Sequence, residues 1–178
     1  MRNYSTSQQL LNNFPYAVMI VLGTAILVLG LQASAWGWIA GGVYLVYGLL
    51  GVLWIMVFLC PYCGSYGAQS CPCGYGRMAA RLRPKKDVSC FREKFRKHIP
   101  VIVPLWLIPL LGGGIMAAYQ FSWLLLCLMV VFALDAFVVL PLLSRKHGCA
   151  ECPQRDNCVW MRSRRKTSAS QQRRNPKR

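Results

Sequence analysis

Long apolar runs alternate with short, strongly charged segments along this chain. Residues 14–31 carry no charge, and residues 35–59 repeat the pattern with many Gly, Trp and Tyr. Only Gln32, Ala33 and Ser34 separate the two runs, a connection short enough to predict a tight helical hairpin. A third apolar block, residues 99–143, is too long for one membrane helix and suits two of about 20 residues each. Its break is expected near Tyr119 to Ser122. Pro100, Pro104, Pro109 and the run Gly112-Gly113-Gly114 predict an irregular third helix, whose freed backbone groups must be covered by its neighbours. Arg2 is the only charge before Arg77, and Asp135 is the only one between Lys97 and Arg145. Uncharged blocks of this length exceed the roughly 18 residues that mark a transmembrane span. The expected fold class is therefore an all-α integral membrane protein with four transmembrane helices, arranged as two hairpins over residues 14–59 and 99–143.

Charge sharpens this picture. The 178 residues are 55% hydrophobic yet carry a formal net charge of +16. Residues 60–98 hold nine basic and two acidic side chains, and residues 144–178 hold eleven and two. The turns on the opposite side hold none. With an even number of spans, the N-terminal tail (1–13), the middle loop and the C-terminal segments share one side, which the positive-inside rule makes cytoplasmic. Both termini are expected there, in a bacterial or archaeal inner membrane. The basic excess is read as a topological signal that also attracts anionic lipid headgroups. No nucleic-acid-binding module is recognisable, so nucleic acid is not an expected partner. Ala33-Ser34-Ala35 has the small-residue pattern of a signal-peptidase site. The run before it is long and its basic flank is Arg2 alone, so the first span is expected to be retained.

Residues 87–98 predict an amphipathic helix. Asp87 can cap it by accepting the free N–H groups of the first turn. Val88, Phe91, Phe95 and Ile99 recur at helical spacing, while Arg92, Lys94, Arg96 and Lys97 cover the rest. Such a segment lies in the headgroup region before the chain turns into the bilayer. Residues 144–161 form a second cysteine-rich segment. The basic, Ser/Gln-rich residues 162–178 are expected to be disordered, free to touch anionic lipid or a partner protein.

Candidate chemistry rests on nine cysteines, eight of them on the expected cytoplasmic side. One set reads Cys60-Pro61-Tyr62-Cys63-Gly64, then Cys71-Pro72-Cys73-Gly74. Cys90 follows alone, and the last set, Cys149, Cys152 and Cys158, comes just after His147. Cytoplasmic thiols are kept reduced, which argues against a disulfide framework. Thiols massed in two short segments point to metal. Cys60, Cys63, Cys71 and Cys73 make a complete four-thiolate set. Cys149, Cys152 and Cys158 need a fourth ligand, for which Cys90 is the candidate, with His147 or His98 as substitutes. Two such sets would close the cytoplasmic face into a metal-bound cap.

Cys60-Pro61-Tyr62-Cys63-Gly64 resembles the knuckle of rubredoxins and zinc ribbons, although Cys71-Pro72-Cys73 is one residue short of it. The spacing of Cys149, Cys152 and Cys158 resembles a segment of the auxiliary iron–sulfur domains of some radical enzymes. One or two 4Fe-4S clusters are the leading cofactor expectation, and one or two Zn2+ ions the second. Irregular spacing, prolines beside cysteines and the position at a membrane favour iron–sulfur; the knuckle favours zinc.

Asp135 is the one ionisable residue inside a span. Such a group is costly in lipid and is a candidate proton carrier or quinone-headgroup site, against the plainer reading of a protonated Asp bonded to a neighbouring helix. Cys127 is expected to be a small packing residue. No histidine lies inside a span, which disfavours a transmembrane bis-histidine haem. Most tryptophans fall near span ends, as interfacial anchors do, and Gly41, Gly42, Gly48 and Gly51 are expected to let helices approach closely.

The expected function is a membrane-embedded electron-transfer subunit, passing electrons between a cytoplasmic donor and a membrane quinone or partner subunit. In layout it resembles the four-span iron–sulfur proteins that accompany quinol-oxidising reductases, without their ferredoxin-like cysteine runs. Two alternatives stay open. One is a zinc-stapled scaffold without catalysis. The other is soft-metal transport or sensing through Cys71-Pro72-Cys73 and Asp135, since Cys-Pro-Cys also occurs in soft-metal pumps. So few polar groups inside the spans suggest a subunit rather than a complete enzyme.

Overall fold

The computed structural model describes residues 3–149 and 152. These are mostly helical, with no strand among the described residues, and four helical stretches are long and apolar enough to cross a membrane. The first is α1, Thr6–Gly30. The second starts as α2, Ala35–Phe58, and ends in a 3-10 turn, Cys60–Tyr62. A short helix, α3 (Tyr75–Leu82), lies in the loop that follows. The third stretch, Val88–Tyr119, contains α4 (Phe91–His98), a 3-10 turn (Ile99–Ile102) and α5 (Pro104–Tyr119). The fourth, Trp123–His147, contains α6 (Trp123–Leu134), a π-helical segment (Asp135–Val139) and α7 (Leu140–Leu143).

Local chemistry explains these boundaries. The Ser5 hydroxyl accepts the Gln8 N–H while the Gln8 side chain accepts the Ser5 N–H, a reciprocal capping box. The polar residues expected as a tail therefore form the first turns of α1. Ser34 and Ser122 cap α2 and α6 through their hydroxyls. In the turn between α1 and α2, Gln32 and Ala33 both take left-handed backbone angles (φ 54° and 51°). The turn holds because the Ala33 N–H donates to Val28 O at 2.8 Å. The third stretch is irregular as expected: Pro100 sits in the 3-10 turn and Pro104 begins α5, leaving Pro109 inside it. α5 ends at Tyr119 and α6 begins at Trp123, the break read from the sequence.

α1 organises the packing. It touches α2, α5, α6 and the π-helical segment. Its Met19, Ile20 and Ile26 join Tyr44, Leu105, Leu125, Phe132 and Ala136 in one buried core. Tyr44 lies over Gly23 and donates its hydroxyl to Leu105 O at 2.8 Å. Gly48 is a close approach of the kind expected, since a Cβ there would stand 2.4 Å from Ile20 Cδ1. Gly42 is not, for among the described residues nothing lies within 4 Å of its Cβ position. Overpacking a tight site costs about 1–3 kcal/mol. Gly48→Leu is accordingly expected to lower the unfolding temperature in detergent, and Gly42→Ala to leave it unchanged or raise it.

Large apolar side chains such as Val43, Leu49, Leu111 and Val130 are exposed, as a lipid-facing surface requires. Trp36, Trp38 and Trp123 are exposed beside the two turns at the end away from the cysteine loop, and the Gln32 amide donates to the Gln120 side chain across those turns. Cys127, expected to pack between helices, is instead exposed on α6. Along residues 88–99, Val88, Phe91, Phe95 and Ile99 are half-buried, while Arg92, Arg96 and Lys97 are exposed. The apolar stripe is present as the spacing predicts, with the Phe91 and Phe95 rings 5.6 Å apart.

Candidate metal centre

The loop from residue 60 to residue 74 is a series of tight turns. The Cys63 N–H donates to Cys60 O at 3.0 Å, Cys71 N–H to Ala68 O at 3.4 Å, and Gly74 N–H to Cys71 O at 3.2 Å. Each turn brings a cysteine back toward the end of the second span. Gly74 has φ +77° and starts α3, a conformation that favours glycine. At Gly76 a Cβ would meet Ser65 O at 2.6 Å, so α3 and the loop can pack only with glycine there. The Gly76 N–H then donates to Cys71 Sγ at 3.3 Å, and the Ser65 N–H bonds the Cys63 sulfur. Backbone N–H groups aimed at sulfur stabilise its thiolate form.

Three side-chain amides from α1 fasten this loop to the spans. Gln9 donates to Cys71 O at 3.4 Å, Asn12 to Pro72 O at 2.9 Å and Asn13 to Cys73 O at 3.0 Å. Successive carbonyls of Cys71-Pro72-Cys73 thus each meet one donor from the first turns of α1. The Tyr4 N–H adds a bond to Gln69 O, and its hydroxyl donates to His147 O near the end of the fourth span. Sequence reading missed this clamp and α3 alike.

The four thiols of the first set are electrostatic neighbours. Cys60 feels Cys71, Cys63 and Cys73, and both Cys60 and Cys71 are only 9% exposed. Cys152, assigned from spacing to the second set, lies close enough to Cys63 to act on it. Burial pushes the Cys63 thiol up to about 11; the Ser65 N–H opposes this, and Cys152 and Cys71 add to it. Burial likewise raises the Tyr75 phenol, helped by Cys73 beside it. In metal-free protein the protonated Cys63 adds to loop stability in full below its ordinary value of 9.0 and loses that contribution as pH rises through about 11. Alkylation of Cys63 in folded, metal-free protein is therefore expected to lag that of unfolded protein at pH 9. The lag should close near pH 11, as peptide mass spectrometry would show.

Soft, buried sulfurs with N–H donors suit a thiophilic metal in donor chemistry. Among the described residues, however, no group of three or more His, Cys, Asp or Glu is arranged as a metal site. Cys90 is half-buried in a turn that packs against Cys60–Tyr62, its sulfur 3.9 Å from the Ser89 hydroxyl. Asp87 caps that turn, and its bonds to Ser89 hold its carboxyl below the usual range. His98 stacks on Phe58 with ring centroids 5.0 Å apart and tilts against Trp54. It anchors the third span to the second. His147 is half-buried. The side chain of Cys149, and Cys158, lie outside what is described.

Asp135 opens the π-helical segment and is 8% exposed, its Oδ2 without a hydrogen-bond partner among the described residues. The Leu140 N–H reaches back to Asp135 O, one residue beyond α-helical register. Pro141, which cannot donate to the carbonyl four residues earlier, supplies a reason for the wider turn. A cavity of about 200 Å3 lies between the spans and the loop, lined by Cys73, Tyr75, Tyr16, Leu105, Trp106 and others. It touches the thiol set at Cys73. No family model, curated protein or solved structure matches this chain.

Proposed function

We propose that this chain is a membrane-embedded iron–sulfur subunit that passes electrons between a cytoplasmic donor and a membrane quinone or partner subunit. Its four spans form two hairpins in a prokaryotic inner membrane, with both termini and the cysteine-rich cap cytoplasmic. One juxtaposition carries the proposal: the thiols of Cys60, Cys63, Cys71 and Cys73, electrostatic neighbours on one loop, border, at Cys73, a cavity that lies between the spans.

A bound iron–sulfur cluster supplies reversible one-electron chemistry. The chain's own residues do the rest. Cys60, Cys63, Cys71 and Cys73 would hold the cluster, and the N–H groups of Ser65 and Gly76 favour their anionic sulfurs. The amides of Gln9, Asn12 and Asn13 hold the loop flush with the spans, where burial limits water. Apolar walls with Tyr16 and Tyr75 suit a flat ring in the cavity. Asp135 is the intramembrane group able to carry a proton. Cys149, Cys152 and Cys158, with Cys90, are the candidate ligands of a second cluster, and Cys152 acts electrostatically on Cys63.

The turn at Cys60–Cys63 and its N–H···S bonds also suit zinc. The second reading is therefore a zinc-stapled docking subunit. To separate the two, protein purified without oxygen is placed in nanodiscs, reduced, and mixed with a short-chain quinone. The proposal predicts an EPR signal in the reduced protein that the quinone abolishes. A colourless, EPR-silent protein holding zinc would assign the scaffold reading.

A further inference from the structure

A second cavity, of about 380 Å3, opens between the first turns of α1 and α3. Arg77 and Arg81, one helical turn apart on α3, line one wall, and Thr6 and Gln9 line the other. No acidic residue lines it among the described residues. Neither arginine forms an ion pair among the described residues, where the salt bridge present is Lys94–Glu93. Two guanidinium groups without an ion pair among the described residues, beside a hydroxyl and an amide, match a phosphate, which takes bidentate Arg contacts.

Asn13, Cys73, Gly74 and Tyr75 line its inner side, and its outer margin is apolar. Leu10 is 67% and Met78 55% exposed at its margin, and Phe14, the next turn along α1, is exposed as well. Depth places this margin at the membrane surface. At about 1.5 Å per residue the 25 residues of α1 rise about 37 Å, against a hydrocarbon core of about 30 Å. The polar first turns therefore project into the headgroup layer, and the apolar surface below Leu10 lies in acyl chains.

We infer that this cavity binds one anionic phospholipid, its phosphate held by Arg77 and Arg81 and an acyl chain laid along Leu10, Phe14 and Met78. The inference rests on the membrane reading and is independent of metal. A bound lipid would cover the outer side of α3 and brace the loop that carries Cys71 and Cys73.

Native mass spectrometry of the full chain in detergent, titrated with phosphatidylglycerol or phosphatidylcholine, tests this without reference to iron. One phosphatidylglycerol is expected to bind in preference to phosphatidylcholine, and millimolar inorganic phosphate is expected to leave it in place. In R77Q/R81Q the affinity for phosphatidylglycerol should fall roughly 10- to 30-fold. Wild-type affinity in that variant, or equal binding of phosphatidylcholine, overturns the site. Displacement by inorganic phosphate overturns the lipid assignment in favour of a free anion. Should the variant fail to fold, wild-type protein with a photo-crosslinkable phosphatidylglycerol decides the matter. Adducts are expected on residues 6–14 and 75–82, and an even spread over the lipid-facing surface refutes the proposal.

Discussion

Cys60→Ser/Cys71→Ser protein, purified without oxygen, is expected to carry almost none of the wild-type metal and to lose the structure of its loop. These two thiols are the most buried of the first set, and Cys71 is the strongest electrostatic neighbour of Cys60. Serine keeps the shape but supplies no thiolate, so two of four soft donors vanish from one site. Thiolate-held metal contributes on the order of 10 kcal/mol to small metal-dependent folds. Even part of that exceeds what the hydrogen bonds of Gln9, Asn12 and Asn13 can replace, at about 1 kcal/mol each. Limited proteolysis should then cut residues 60–74 first, while the spans remain folded. Cys127→Ser, on the exposed side of α6, is the matched control and should keep full metal. Retention of metal by the double variant would move the site away from this set.

Asp135→Leu is expected to stabilise the protein while removing its quinone-linked activity. The carboxyl is buried in a span with Oδ2 unpartnered among the described residues. Leaving such a group unsatisfied costs about 1–3 kcal/mol, which an apolar side chain of the same branched outline recovers. Unfolding in mixed micelles should shift upward by that amount. Reduction of a quinone also consumes protons, and a positioned acid contributes on the order of 100-fold to such steps. Asp135→Asn keeps the shape and loses the proton, so it should match the Leu variant in activity without its gain in stability. Wild-type quinone reduction in Asp135→Asn would remove the residue from the pathway. A destabilised Leu variant would mean that the carboxyl is bonded after all.

Much of the membrane architecture was legible because bilayer physics acts on composition over long windows. The break between Tyr119 and Trp123, the proline-rich entry to the third span and the stripe Val88, Phe91, Phe95, Ile99 all follow from spacing alone. The clamp was not legible. Gln9, Asn12 and Asn13 look like a soluble tail, and their meaning lies in carbonyls some 60 residues away. α3 was missed because its eight residues, opened by Gly74 and Gly76, are shorter than the window of roughly 11–18 residues over which helical periodicity is read. Sorting cysteines by distance along the chain groups Cys152 with Cys149 and Cys158, and gives no sign of its electrostatic influence on Cys63. Gly42 and Gly48 look alike in sequence, and only the position of Ile20 separates them.

The most direct test of the metal-bound cap is elemental and sulfide analysis of wild-type protein purified without oxygen, with its optical and EPR spectra. Iron with matching acid-labile sulfide, and a broad absorbance that bleaches on reduction, is the result predicted here. Protein that holds neither iron nor zinc, and whose loop is unchanged by chelators, would contradict it.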